Sequence, residues 1–292
     1  MRSALVFHLL SGHAWFSAGI VILALLAAEL AGALAPRPAL LRTSRIVFLL
    51  AVGVAGLSGT PVPLWLLAPL GLALAGVIAT AFRPARSRPG RIAASAALVL
   101  VLAALLLELP RHRPPRVPLP AGTTLLVLGD SLSSGGFDET APWPALLAGT
   151  GAPVRNLALP GDTVRSAMRY QIPRLAPVES PNAVLIELGG NDLLGGTPVA
   201  RYEADLDALL AQVRRAGAEA IVLFELPLPP GRWRWGAVQR RLAAKHGAVL
   251  IPKRVLARVV STPRLVDDGL HPTDAGHELL AREVAGVIRP SS

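Results

Sequence analysis

Between Ile46 and Phe82 the chain carries no charged residue over 37 positions. A run of that length and polarity leaves few ways to fold. As one straight helix it would be roughly 55 Å long, far more than a ~30 Å hydrocarbon core. Gly59-Thr60-Pro61-Val62-Pro63 places a turn near its middle. The run therefore predicts two apolar segments, about 46–59 and 64–82. The first is short for a crossing, so a re-entrant segment competes with a span there. Ala14–Ala35, apolar apart from Glu29, is a further candidate, as is Ile92–Leu107, closed by Glu108 and Pro110. Trp15, Trp65 and Phe82 lie near the predicted ends, where aromatic side chains favour the interface. Glu29 reads as an acid paired within a bundle or near an interface.

Charge divides the chain unevenly. Up to residue 121 there are 11 Arg and no Lys against Glu29 and Glu108, so 11 − 2 = +9; the remainder has 18 Lys+Arg against 17 Asp+Glu, so +1. Basic character belongs to the apolar part, the opposite of a basic nucleic-acid-binding face, and nucleic acid is set aside as a partner. Four spans put both termini on one side. Arg37, Arg42, Arg45, Arg83, Arg86, Arg88 and Arg91 then share one side, against Arg2, Arg111, Arg113 and Arg116 on the other. The positive-inside rule turns the larger set to the cytoplasm and the C-terminal part outward. Ala33-Leu34-Ala35 resembles a signal-peptidase site, although the later spans would hold the protein in the membrane after cleavage. Pro110 to Pro120 is a Pro/Arg linker, expected to be an extended, semi-rigid spacer whose arginines suit anionic head groups. The expected organisation is a membrane region over 1–109, a linker over 110–121 and a second domain over 122–292.

From Gly122 short apolar runs alternate with helical stretches. The strands are expected at 124–129, Val154–Leu159, Ala183–Leu188, Ala220–Leu226 and Ala248–Ile251. Helical spacing occupies Val199–Ala216, Gly236–His246 and Asp274–Ile288. This alternation implies a parallel sheet with helices on both faces, and a site at the strands' carboxyl edge. The residues at that edge are reactive or polar. Ser131 follows the first strand; Gly161 follows the second; Gly189-Gly190-Asn191-Asp192 follows the third; Asp268-Gly269-Leu270-His271 precedes the last helix. Serine needs a base and an oxyanion site to act as a nucleophile. His271 can take the Ser131 proton, Asp268 can orient His271, and the Ser131 and Gly161 N–H groups with the Asn191 amide can hold an oxyanion. With no Cys, disulfides, thiolate catalysis and Cys-ligated zinc are excluded. The histidines offer no metal-binding spacing, and no cofactor is expected.

These residues resemble the SGNH, or GDSL-type, hydrolase superfamily. Its four blocks stand in order as Gly129-Asp130-Ser131-Leu132, Gly161, Gly189-Gly190-Asn191-Asp192 and Asp268-x-x-His271. Trp143-Pro144-Ala145-Leu146-Leu147 and Glu187-Leu188 bring it nearest to the bacterial arylesterase, acyl-thioesterase and lysophospholipase branch. The resemblance covers about 122–292 and implies a three-layer α/β/α domain with a flavodoxin-like parallel sheet. It prefers Asp268 over Asp267 as the orienting acid. It implies a serine esterase acting on a carboxylic ester such as a lipid ester or thioester; the N-terminal apolar runs, which depart from that branch, add anchoring in a bacterial cytoplasmic membrane with the hydrolase facing the periplasm or exterior. Two alternatives are an O-acetyl esterase or transferase on cell-surface polysaccharide and an inactive, membrane-tethered binding module. Asp130 is expected to be a structural hydrogen-bonding partner, Glu187 a satisfied structural acid, and His246 and His277 surface helix residues. Trp233 and Trp235, with Arg232 and Arg234, follow the fourth strand and are candidates for substrate access, or else loop anchors.

Overall fold

The long apolar runs of the first part form helices, separated at turns. The computed structural model describes residues 2–31, 38–81, 88–135, 141–148, 151–175 and 181–290. Its first five helices are α1 (Arg2–Ser11), α2 (His13–Leu30), α3 (Pro38–Leu57), α4 (Leu64–Ala81) and α5 (Arg88–Glu108). The Ala33-Leu34-Ala35 motif, Phe82, Arg37, Arg83 and Arg86 lie outside the described residues.

The chain divides into two units. Gly12–Arg113 groups with Leu228–Trp233, and Met1–Ser11 with Pro114–Pro227 and Arg234–Ser292. This differs from the expected domains at the N-terminus, because α1 packs against a helix of the second unit, Arg254–Val260. It also differs at Leu228–Trp233, where Leu228 lies close against the turn at Gly59.

In the helical unit α2 packs on α3 and α5, and α4 on α5. Trp15, Ile22 and Leu26 of α2, Leu66 and Val77 of α4, and Ala97 and Val101 of α5 are buried between helices. The opposite faces stay apolar but exposed, with Leu50, Leu57, Trp65, Leu72, Ile92, Val99 and Leu106 outward. A helix that is apolar on its exposed face as well suits lipid rather than water. Among the described residues three helices are long and apolar enough to cross a membrane: His13–Leu30, Ala39–Leu57 and Arg88–His112. The expectation of four spans is thus reduced to three, with Leu64–Thr80 a shorter apolar helix, about 25 Å at 1.5 Å per residue. The short member of the pair is therefore the second, not the first. Helix α3 starts well before Ile46 and carries Arg42 and Arg45 on its first turns, since a long side chain can keep its charge outside while its stem covers apolar surface.

The second unit is built on five parallel strands. They are β2 (Thr124–Gly129), β3 (Val154–Asn156), β4 (Asn182–Glu187), β5 (Ala220–Phe224) and β6 (Val249–Ile251), preceded by β1 (Val117–Leu119). The order is β3-β2-β4-β5-β6, with Gly129 level with Glu187 across the central pair. This is the flavodoxin-like order, and β2 and β4 flank its switch point. Leu125, Val127, Ala183, Leu185, Val222 and Phe224 face one core with Trp143 and Leu280. The alternate residues Leu126, Leu128, Val184, Ile186, Ile221 and Leu223 are equally buried, so both faces are covered. Helices α6 (Ser131–Ser134), α7 (Trp143–Leu147), α8 (Val164–Tyr170), α9 (Gly190–Leu194), α10 (Val199–Arg215), α11 (Trp233–His246), α12 (Arg254–Val260) and α13 (Asp274–Val287) complete the layers.

The linker is not a free spacer. A 3-10 turn occupies Leu109–His112, and β1 pairs in parallel with a short last strand, β7 (Ile288–Pro290). Val117 and Leu119 are buried, which holds the extended segment down.

Candidate active site

Strand β2 ends at Gly129 and the chain turns at once into α6. A side chain at Gly129 would meet Ser133 Cβ and Oγ at 2.6 Å, so this close turn requires glycine. Asp130 caps the turn, its Oδ1 accepting from Leu132 N at 3.0 Å. Ser131 is thereby presented at the sheet's carboxyl edge.

His271 arrives from the loop before α13. Its Nε2 lies 3.0 Å from Ser131 Oγ, and its Nδ1 lies 2.6 Å from Asp268 Oδ2. Asp268 Oδ1 also accepts from His271 N at 2.8 Å and Leu270 N at 2.9 Å. The four residues therefore form a self-contained turn that sets the ring. The His271 N–H and side chain, then the Leu270 N–H, hold the Asp268 carboxyl well below the usual carboxylate range. Asp267 joins through its backbone only, donating to His271 O at 3.0 Å. The structure thus brings Ser131, His271 and Asp268 into one line.

Asn191 sits in the first turn of α9. Its Nδ2 donates to Asp130 Oδ2 at 3.2 Å and to Asp162 O at 3.0 Å. Gly161 adopts φ 78° beside Asp162, a left-handed conformation that turns the chain after β3. Gln171 ties this loop to β2: Nε2 donates to Asp162 Oδ2 and Gly129 O, both at 2.7 Å, and Oε1 accepts from Gly129 N at 3.0 Å. Nothing local to Gln171 marks it in the sequence.

Behind Ser131 a polar chain runs into the core. Ser133 Oγ donates to Glu187 Oε2 at 2.8 Å, and Trp143 Nε1 donates to Ser133 Oγ at 3.1 Å. Trp143 N donates to His277 Nδ1 at 3.3 Å. His277 was expected at the surface; it is 2% exposed, and burial pushes its imidazole below its ordinary value. His246 also departs from the surface expectation, its side chain largely covered and its Nε2 2.6 Å from Asp207 Oδ1. In both, the helix face carrying the histidine turns inward, which a single residue cannot reveal.

Trp235 is not at a substrate entrance. It is 3% exposed and stacked on Tyr202 with ring centroids 4.3 Å apart, a core anchor at the start of α11. Trp233 is half-buried and groups with the helical unit. Among the described residues no cluster of three or more His, Asp or Glu is arranged to hold a metal ion.

A parallel sheet in flavodoxin-like order, with serine, histidine and aspartate hydrogen-bonded in line at its carboxyl edge, is the architecture of an SGNH-type hydrolase. The chain belongs to the GDSL-like Lipase/Acylhydrolase family, whose model matches residues 127–279. It is 33% identical over 179 residues to the Thioesterase 1/protease 1/lysophospholipase L1 of Escherichia coli K12, covering 58% of this chain and 85% of that protein. It is 32% identical over 178 residues to an arylesterase of Vibrio mimicus, covering 56% and 88%. Among solved structures, the psychrotrophic esterase EstA of Pseudoalteromonas superposes with a TM-score of 0.51 at 27% identity, over 56% of this chain and 95% of that one. A TesA crystal structure gives 0.50 at 33% identity, over 56% and 97%. The chain is an ester hydrolase of this family, and the family match leaves the helices of residues 12–113 outside it.

Proposed function

We propose that this protein is a membrane-anchored serine esterase that works through an acyl-enzyme on Ser131. The observation that carries the reading is the line from Asp268 through His271 to Ser131, with contacts of 2.6 and 3.0 Å. His271 Nε2 takes the Ser131 proton as Oγ attacks the ester carbonyl, then gives it to the departing alcohol or thiol. Water, activated by the same nitrogen, releases the acid. Asp268 keeps Nδ1 protonated and favours the imidazolium that forms. The N–H groups of Ser131 and Gly161 and the Asn191 amide receive the oxyanion, each donor worth about 3 kcal/mol in the transition state.

The names of the relatives support carboxylic esters and thioesters, lysophospholipids included, as the substrate class. The exposed apolar faces of α3, α4 and α5 support anchoring in a bilayer, which would keep the enzyme close to lipid esters. A fluorophosphonate probe tests the chemistry. Labelling of the parent chain, its loss in Ser131→Ala and its retention in Asp267→Asn are the expected results. An unlabelled parent beside a labelled control enzyme would sink the proposal.

A further inference from the structure

The proposed oxyanion donors come from three separate segments, the start of α6, the loop after β3 and the start of α9, and Asp130 stands where they meet. Its Oδ1 holds the Leu132 amide, the second of α6, at 3.0 Å, and its Oδ2 holds Asn191 Nδ2 at 3.2 Å. The carboxylate is 2% exposed. The titratable groups facing it are Glu187 of β4, His271 of the loop before α13 and Asp162 of the loop after β3. Glu187 is 1% exposed, and one of its oxygens, Oε1, has no conventional hydrogen-bond partner. Two buried carboxylates side by side ionise together only at high cost. Burial first, then the Asp130 charge, raise Glu187 well above its ordinary value, while burial lifts Asp130 to about 6. The pair therefore resists carrying two charges at once.

A cap alone does not call for this arrangement. Ser, Thr or Asn would cap Leu132 as well. Helix α6 has four residues and offers little stability in return for a buried charge. What only the carboxylate supplies is a second, charged acceptor reaching Asn191.

We propose that Asp130 is a positioning residue of the hydrolysis, its carboxylate holding the Asn191 amide where it meets the oxyanion. At rest both Asn191 Nδ2 hydrogens are engaged, by Asp130 Oδ2 and by Asp162 O. The oxyanion displaces the neutral carbonyl of Asp162, and the charge-assisted bond to Asp130 stays as the pivot. Protonating Asp130 would set a hydroxyl donor against an amide donor and lose the pivot. This inference rests on the Ser131 reading above.

A double-mutant cycle on the detergent-solubilised full chain, with a short p-nitrophenyl ester, tests it. Asp130→Asn sets a side-chain amide against the Asn191 amide. It is expected to lower kcat about 10- to 100-fold with KM within about 3-fold. On an Asn191→Ala background the same substitution is expected to lower kcat by less than about 3-fold, because the group it positions is gone. An equal fold-loss in both backgrounds would overturn the proposal. Asp130→Ser keeps a cap oxygen for Leu132 but cannot reach Asn191; it replaces Asp130→Asn if that variant does not fold, with the same expected cycle. Failure of both to fold would mark Asp130 as a structural residue and also overturn it. A parent chain with neither esterase activity nor probe labelling would instead remove the Ser131 reading.

Discussion

At the scale of the residue, the site divides into parts that carry their own geometry and parts that do not. Asp268 and His271 are three apart, and their turn is closed by contacts of 2.6 to 2.9 Å within that short loop. Their relation is written locally and could be read before folding. Asn191 and Asp130 are 61 residues apart, and Gln171 reaches Gly129 across 42. Those contacts depend on strand order, so Asn191 could be singled out in the sequence as a candidate donor but the groups that hold it could not. Asn191→Ala is expected to lower kcat about 10²- to 10³-fold, the loss found for one oxyanion donor, with a small change in KM. Asp268→Asn is expected to lower kcat by up to about 10⁴-fold, because the ring then loses the acceptor that sets its tautomer. Steady-state kinetics on a chromogenic ester read both. Asp268 is held in its ionised form across the working range, so its titration does not shape the pH profile.

At the scale of the element, Glu187 at the end of β4 makes stability depend on pH in a definite direction. Its folded-state proton affinity is raised well above the unfolded value of 4.5, chiefly by burial. A carboxyl of this kind contributes stability that is complete below its unfolded value and is lost as pH rises through the folded one. Glu187 should therefore lower the melting temperature of the parent as pH rises above its unfolded value. In Glu187→Gln, which keeps an acceptor for Ser133 and cannot ionise, that fall should be shallower; equal slopes in differential scanning calorimetry would contradict it. The five central strands were readable because each is a short apolar run bounded by turn residues. Strands β1 and β7 were not, at three residues each and with a proline in both. The start of α3 at Pro38 is hidden in the sequence because Arg42 and Arg45 interrupt the apolar run, although arginine stems can lie on the first turns of an apolar helix.

At the scale of the whole molecule, helix parity carries the topology. Three crossings would leave the two ends of the helical segment on opposite sides, and a fourth through Leu64–Thr80 would return them to one. The proposed outward hydrolase thus hangs on a helix of marginal length. A phosphatase fused after Ser292 should be active only outside the cytoplasm, and a fusion in the turn at Pro61–Pro63 should share its side. Activity of the Ser292 fusion confined to the cytoplasm would reverse the orientation. The chain should also stay with the membrane fraction through an alkaline carbonate wash and leave it in detergent. Release by carbonate alone would contradict anchoring. The charge-free run made the helices legible, whereas α1 grouping with the α/β unit was not, since its ten residues carry no periodic face to announce a partner.

The pairing of Val117–Leu119 with Ile288–Pro290 has a mechanical side. Between residue 113 and the nucleophile strand, the backbone is stitched to the last described strand of its own domain. A pull on the chain at residue 113 therefore has to part β1 from β7 before it reaches β2, which begins five residues after β1 ends.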